Sequence, residues 1–561
     1  MKNLILKYAL QNAVKFNGKA NPSAVIGKIL AENPDLKSKI NEIYKETASV
    51  IKEVNSWPVK KQKEKLNSLA PELLEEEKKT KTKTRTLQEW RNTENLKTRF
   101  EPSPSGALHI GHAYVLALNY LYCKKYNGKL ILRISDTNPE NIYSEAYDLI
   151  KKDAEWLTNF GIDKMYIQSD RINLYYIYMK KLLQMNKAYI CTCNVEEFRK
   201  MLGKSQACPC RDLSEDEQLK RWNLMFTKYR QGEAVARLKT DINNKNPAMR
   251  DFPLFRIVEE PHARQEKKFR VWPLMNMAVA VDDMEMGITH VIRAKDHTDN
   301  AKRQKMIFDI FERTAPDSQF VGRINFKDLV VSATQISLGI KEGKYSGWDD
   351  ISLPSLAALK RRGYTNESFL KYAEDVGVTL TDKTIYKEDF FTALNHFNKE
   401  IIDNKTYRYF FIWDPVEIKI EKSPKQTVEL DLHPDNEKGG RIFKITDRFY
   451  ITRQDYRELK DNKLYRLMDC LNFKKKGKKF IFDSLGYNTF KEQGDKIIHW
   501  LPKDNLINVM VLMPDKKTVI GKGELGLNDL KPGTVVQFER FGFCRLDSKE
   551  KNKLVFWYGH K

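Results

Sequence analysis

The chain has 561 residues, too many for one hydrophobic core, so roughly three to five structural units are expected. Lys and Arg number 98 against 75 Asp and Glu, a formal net charge of +23, and an excess spread over several segments favours a polyanionic partner such as RNA or DNA. No run of apolar residues is long enough for a membrane-spanning helix. Seven cysteines, four of them between positions 191 and 210, do not resemble a secreted disulfide framework and point to a reducing cytoplasm.

Taken in order, residues 1 to about 75 carry helical periodicity, with apolar positions at Ile5, Leu10, Val14, Val25, Ile29 and Leu30. The opening MKNLILKYALQNAVKF continues as an amphipathic helix and lacks the small-residue cleavage site of a signal peptide. The run Glu75–Arg85, EEEKKTKTKTR, has no apolar anchor and reads as an exposed linker, which makes residues 1–85 a helical appendage. An α/β pattern starts at Leu96. A strand ends near Phe100 and leads into Arg99–His112, RFEPSPSGALHIGH, where Pro102, Pro104 and Gly106 stop the strand and helical periodicity begins around Leu108. His109 and His112 are three residues apart on one face of that helix start. Helix N-termini suit phosphate, and two imidazoles aimed the same way can donate hydrogen bonds to a pentavalent phosphate. After the turn Asn127-Gly128, Lys129–Ile134 (KLILRI) is a buried-type strand with Ser135-Asp136-Thr137 at its carboxyl end, where open parallel sheets bind ligands. Asp136 and the Arg99 loop are therefore expected to face one crevice. Neither G-x-G-x-x-G nor a P-loop is present.

Cys191-Thr-Cys193 and, after fourteen intervening residues, Cys208-Pro-Cys210 fit a four-thiolate structural zinc knuckle. Residues 234–298 read as strands and turns. Val291-Ile292 is a buried strand with Arg293 at its carboxyl end, where a planar guanidinium can clamp a carboxylate. A helix from Asn300 to Thr314 follows. Then come a glycine-marked loop region within 329–363 and helices to about Asn404. From Tyr407 onward, short segments alternate at period two: Val416–Ile420, Thr427–Leu432, Arg441–Ile451, Lys479–Phe482, Val509–Met513, Val535–Phe538 and Leu554–Tyr558. They indicate one or two small β-barrels, and Lys474–Lys479 forms a basic turn suited to RNA.

Several stretches together resemble the class I aminoacyl-tRNA synthetases of the glutamyl/glutaminyl subfamily, in their archaeal glutamyl form. They are Arg99-Phe-x-Pro-Ser-Pro-x-Gly106 with His109-Ile-Gly-His112, Leu132-Arg-Ile-x-Asp136-Thr-Asn, Asp282-Asp283…Gly287-Ile-Thr-His-Val-Ile-Arg293, Gly347-Trp-Asp-Asp…Arg361-Arg-Gly363, Gln537-Phe-Glu-Arg-Phe-Gly-Phe543 and the final His560-Lys561. The resemblance implies a multidomain chain. Its helical appendage would be followed by a Rossmann-type α/β catalytic domain (96–330) with an acceptor-stem insertion (about 189–285) holding the cysteines. A signature loop with a helical stem-contact region (331–405) and all-β anticodon-binding barrels (406–561) would complete it. It implies ATP-dependent activation of glutamate and transfer to tRNA-Glu, with tRNA-Gln as an alternative acceptor and glutaminyl activation or a synthetase-like tRNA-binding protein as alternative readings. Mg²⁺ would accompany ATP, and the chain would act as a cytoplasmic monomer away from any membrane. His109, His112, Thr334 and Gln335 would serve catalysis. Pro104, Gly106, Gly111, Ser332 and Ile336 would join the two histidines around ATP, and Arg99, Ser103, Asp136, Asn276 and Arg293 would bind glutamate. Three positions depart from the pattern. In the second signature, Ser332-Ala-Thr334-Gln335-Ile336, glutamine stands where a lysine would neutralise pyrophosphate, a loss of about 2–4 kcal/mol, with Lys341, Lys344 or Lys302 as substitutes. Ser135 stands where an acid is usual, and Met275 where a tyrosine commonly lines the amino-acid pocket.

Overall fold

The computed structural model describes residues 2–15, 18–32, 40–71, 73 and 87–561, so the charged run Glu75–Arg85 lies outside the described residues. The chain divides into two units, Met1–Arg85 and Thr86–Lys561. In the first, helices α1 (Lys2–Lys15), α2 (Pro22–Glu32), α3 (Ile40–Asn55) and α4 (Val59–Leu69) follow the apolar periodicity of the sequence. Ile5, Leu10, Val25, Ile29, Val50, Val54 and Leu66 form its core. Gln62 is buried there, and its Nε2 donates to the carbonyls of Gly18, Val54 and Trp57 at 3.0, 2.8 and 3.1 Å, while its Oε1 has no hydrogen-bond partner, so the cost of burying the amide is met on one side only.

The second unit is organised around a parallel sheet. Strands β1 (Lys97–Phe100), β2 (Lys129–Ile134) and β3 (Lys164–Ile167) pair in the order β1-β2-β3, with helix α5 (Ile110–Lys125) crossing from β1 to β2 and α6 (Ala146–Leu157) from β2 to β3. Helix α7 (Ile172–Gln184) leads into an insertion made of β4 (Ala188–Cys191), α8 (Val195–Gly203), α9 (Glu215–Thr227), β5 (Val235–Leu238), β6 (Pro253–Ile257) and β7 (Val271–Pro273). Its sheet is antiparallel in the order β4-β5-β6-β7. After β7 the chain forms a helix, α10 (Met275–Met286), whose Met277, Ala278, Ala280 and Val281 share one core with Ala236, Leu254, Phe255 and Trp272 of the insertion. Sequence periodicity does not reveal α10, since Asn276 through Asp283 are all buried and no polar face remains to mark it.

Strand β8 (His290–Ala294) then lies on the far side of β1 and pairs in parallel with β9 (Asp317–Val321), with helix α11 (Thr298–Ile310) between them. The Thr289 N–H donates to Lys97 O at 2.9 Å, and the Lys97 N–H to Thr289 Oγ1 at 2.9 Å. Further along, a side chain replaces the ladder. Asn119 Oδ1 accepts from Thr98 Oγ1 at 2.5 Å and from the Ile292 N–H at 3.3 Å, while Asn119 Nδ2 donates to Ile292 O at 3.0 Å. β1 and β8 therefore part towards their carboxyl ends. The strand order β3-β2-β1-β8-β9 reverses at that gap, where sheets of this kind hold ligands.

Strand β10 (Ile324–Phe326), helices α12 (Ala333–Lys341), α13 (Leu356–Arg361) and α14 (Asn366–Val376), strand β11 (Lys383–Ile385) and helix α15 (Lys387–Ile402) follow. Beyond them are two seven-stranded sheets. In the first, both edges come from the single segment Arg408–Trp413, so the sheet closes on itself. In the second, the segment Gly494–Pro502 does the same. The chain thus starts one barrel, builds the other from Pro415 to Pro502, and returns with Leu506–His560 to finish the first. The run expected at Arg441–Ile451 is two strands, Glu437–Ile445 and Arg448–Thr452. Arg361 and Arg362 tie the helical region to the first barrel. Arg361 meets Asp547 at 2.7 and 2.8 Å over the Trp557 ring, and Arg362 Nη2 donates to Gly559 O at 2.8 Å.

Candidate active site

At the gap between β1 and β8 lies a cleft of about 320 Å³. Phe100, Val115, Met275, Val279 and Ile292 give it apolar walls, and Arg99, Glu101, Ser103, Ser105, His112, Ser135, Arg293 and His297 give it polar ones.

His112 reaches this wall because of how α5 begins. His109 is the N-cap: the Gly111 N–H donates to His109 Nδ1 at 3.0 Å, and the His109 N–H points to His112 Nδ1 at 3.5 Å. With both Nδ1 atoms accepting, each imidazole carries its proton on Nε2, a free donor. The rings stack at 3.9 Å between centroids. Burial holds both pKa values down, His112 at about 4 and His109 well below the ordinary 6.5, the latter also because of its neighbour His112. Both are neutral donors at physiological pH. Gly106 is required where it stands, since a Cβ there would lie 2.1 Å from the Trp348 ring.

The two arginines of the cleft have unlike surroundings. Arg99 is 4 % exposed. It spends Nε and Nη2 on Asp283 at 2.8 and 3.2 Å and Nη1 on Glu101 at 2.9 Å. Arg133, wholly buried beneath it, binds Glu101 at 3.1 Å through both Nε and Nη2, and Asp283 at 2.6 Å. Arg171 binds Asp282 at 2.7 Å. Arg293 donates only from Nη2, to Gln304 Oε1 at 2.6 Å, and its buried Nε has no partner. Burial, with repulsion from Arg99, lowers its pKa to about 10. A buried guanidinium in that state is a receptor for a carboxylate.

The residues expected to bind glutamate divide accordingly. Arg99, Ser103 and Arg293 line the cleft. Asp136 does not: its carboxylate is committed to Tyr147 Oη at 2.7 Å and the Ser169 N–H at 2.8 Å, with His262 Nε2 at 3.5 Å. Asn276 acts one step back, accepting from Gln304 Nε2 at 3.2 Å. Of the residues expected around ATP, Pro104 and Gly106 are buried in the loop and His109 and Gly111 form the turn behind His112. Ser332 caps α12, with Thr334 and Gln335 exposed beside it, while Ile336 is packed inward with Ala107, Trp348, Leu353 and Ala358 and serves the core. Of the three lysines considered as substitutes, Lys302 is paired with Asp299 at 3.1 Å, in a separate hollow with Asn244, Asn246 and Lys305. Sequence reading missed Glu101 and Gln304; a glutamate between two arginine-bearing strands was the available signal for the first.

In the insertion, the four cysteine Sγ atoms lie within 4.8 Å of one another. Cys191 and Cys208 are 3.8 Å apart and Cys193 and Cys210 3.7 Å, and all four thiols are free of disulfides. Cys191 ends β4, Asn194 caps α8 directly after Cys193, and Ser214 caps α9 shortly after Cys210, so three element ends fix the set. A tetrahedral Zn–S distance of about 2.3 Å implies Sγ separations of about 3.8 Å, which these match. The Arg221 Nη1 lies 3.3 Å from Cys210 Sγ and supports a thiolate there.

Comparison with known proteins agrees with this geometry. Residues 95–403 match the model for the catalytic domain of class I tRNA synthetases (E and Q), and residues 406–484 and 497–547 match two models for the anticodon-binding domain of the same group. The glutamate–tRNA ligase of Methanocaldococcus jannaschii is 41 % identical over the whole of both chains. Those of Methanobrevibacter smithii and Pyrococcus furiosus are 40 % and 41 % identical, again over the whole of both chains. No helix among the described residues is long and apolar enough to cross a membrane. The chain belongs to the class I tRNA synthetases of the glutamyl and glutaminyl family.

Proposed function

We propose that this chain is a glutamate–tRNA ligase: it joins glutamate to AMP at the expense of ATP and passes the glutamyl group to the 3′ end of tRNA. The observation that carries the choice of amino acid is Arg293, a buried guanidinium with an unpartnered Nε in an amino-acid-sized cleft beside His112. A neutral amide would leave that charge uncompensated, and a side-chain carboxylate satisfies it. In the first step the α-carboxylate attacks the α-phosphate and pyrophosphate leaves, with the Nε2 protons of His109 and His112 placed for charge developing on the phosphate. Mg²⁺ entering with ATP would supply charge screening of the phosphates towards the attacking anion. Gln304 holds Arg293, and Asn276 in turn holds Gln304.

The barrels supply the RNA contact. Arg408 and Gln537 are register partners on adjacent strands, and Arg408 Nε and Gln537 Oε1 are both buried without a hydrogen bond. Cys191, Cys193, Cys208 and Cys210 would hold a structural zinc that ties β4 to the ends of α8 and α9. About one zinc per chain is expected on metal analysis, lost in Cys208→Ser along with cooperative unfolding of the insertion. Four titrating thiols in the metal-free protein at full stability would remove this assignment.

The deciding measurement is aminoacylation of separate tRNA-Glu and tRNA-Gln transcripts with glutamate and with glutamine. Glutamate on tRNA-Glu is the expected product; preference for glutamine would replace the reading with a glutaminyl enzyme. Gln335, uncharged where pyrophosphate departs, favours a second reading, a tRNA-binding protein without activation chemistry. Intact tRNA binding with no ATP–pyrophosphate exchange for either amino acid would establish it.

A further inference from the structure

We infer that Glu101 is a specificity-determining residue: by occupying Arg99 it leaves Arg293 as the charge that reads the substrate's side chain. The inference deepens the assignment of glutamate as substrate and rests on it.

The cluster behind the cleft is electrically closed. Its cations are Arg99, Arg133 and Arg171; its anions are Glu101, Asp282 and Asp283. Glu101 is the residue through which this cluster touches the cleft with negative charge. Both of its oxygens are engaged twice: Oε1 accepts from Arg133 Nε and from Gln168 Nε2, each at 3.1 Å, and Oε2 accepts from Arg133 Nη2 at 3.1 Å and is ion-paired with Arg99 Nη1 at 2.9 Å. A carboxylate so saturated is a poor acceptor for a substrate ammonium group. Its effect on the substrate is through Arg99, whose charge it and Asp283 cancel. Arg293 meets no carboxylate among the described residues. The cleft therefore presents one uncompensated guanidinium to a monoanionic side chain, and the arginine that the signature supplies is held back as part of the wall.

Replacing Glu101 by a neutral residue should change the cleft from one uncompensated positive charge to two. At the effective dielectric of a partly buried site, one charge several ångströms away changes carboxylate binding by about tenfold or more and leaves an amide nearly unaffected. Aminoacylation of a tRNA-Glu transcript at saturating ATP, with glutamate and with glutamine, measures this. Glu101→Gln should lower KM for glutamate about tenfold while KM for glutamine stays within about twofold. Glu101→Ser, which leaves room for water at Arg133, should shift the ratio of the two KM values in the same direction and guards against a folding defect in the first variant. In an Arg293→Ala background, Glu101→Gln should restore part of the lost glutamate affinity, because Arg99, still held by Asp283 through Nε and Nη2, then has Nη1 and an unbalanced charge to offer a carboxylate. A merely structural Glu101 would raise both KM values together and give no restoration. If the unmodified enzyme charges glutamate preferentially and both neutral variants keep the parental KM ratio, the inference is overturned and the functional reading stands. If the unmodified enzyme prefers glutamine, the functional reading fails and takes the inference with it.

Discussion

The two segments proposed to flank the nucleotide are built on different principles. Arg99–His112 is part of the core. Pro102, Pro104, Gly106, Ala107, Leu108 and Ile110 are buried, and the loop is clipped on both sides by Tyr143 N–H to Pro104 O at 2.8 Å, Leu108 N–H to Asp153 Oδ2 at 3.1 Å and Leu356 N–H to Leu108 O at 2.8 Å. Val331–Ile336 is the opposite case. Ser332, Thr334 and Gln335 are exposed, Ile336 is buried, Val331 and Ala333 pack only partly against the core, and the cap from Gln335 N–H to Ser332 Oγ is 3.5 Å long. Donors that need no rearrangement contribute most to a transition state. Here the fixed donors belong to the first segment, and the second presents uncharged side chains, Ser332, Thr334 and Gln335.

That contrast can be broken by removing a donor from the fixed segment. His112→Ala should lower the glutamate-dependent ATP–pyrophosphate exchange rate, assayed with tRNA present, by about 10²-fold or more, with the dissociation constant for tRNA unchanged. Equal losses in both would make the histidine a packing residue and erase the difference between the segments. A smaller effect of opposite sign is expected on the other side. Gln335→Lys places a cation at the start of α12, and the same exchange assay should speed up by about tenfold. An unchanged rate would mean that a cation already reaches pyrophosphate from elsewhere. Lys341, exposed in the last turn of α12 with no carboxylate partner among the described residues, is then the next residue to neutralise.

Much of the fold was legible because its signals were local. The βαβ unit is marked by KLILRI, by the proline-glycine stop before α5 and by the Asn127-Gly128 turn; the barrels are marked by period-two alternation. Helix α10 was not legible, because total burial erases the polar face that makes a helix visible. The site shows the same division. His112 and Arg293 could be placed from strand and helix ends alone. Asp136 was misplaced because a strand's carboxyl end fixes where a residue sits, not which neighbour claims its side chain, and here Tyr147 and Ser169 claim it. Glu101 and Gln304 went unseen for a related reason: their roles are defined by partners up to 67 residues away, at Gln168, and 11 residues away, at Arg293.

The smallest expected effect concerns pH and sharpens the account of the fixed segment. Burial keeps His112 at about 4 and His109 well below 6.5 in the folded chain, while both return to about 6.5 when unfolded. Between those values the unfolded state binds more protons than the folded one, so stability rises with pH there and is lost as pH falls from about 6.5 towards 4. Above about 6.5 neither histidine contributes any slope. The thermal midpoint should therefore drop by about a few degrees from pH 7 to pH 5, and His112→Ala should make that drop smaller than in the parent. His499 and His560, also held at about 4 by burial, act in the same direction in both proteins, so the difference between the two drops reports His112 together with its effect on the adjacent His109. An identical drop in parent and variant would mean that His112 is protonated no later in the folded chain than in the unfolded one. Its imidazole would then be wet, and the first segment would be no better prepared for the phosphate than the second.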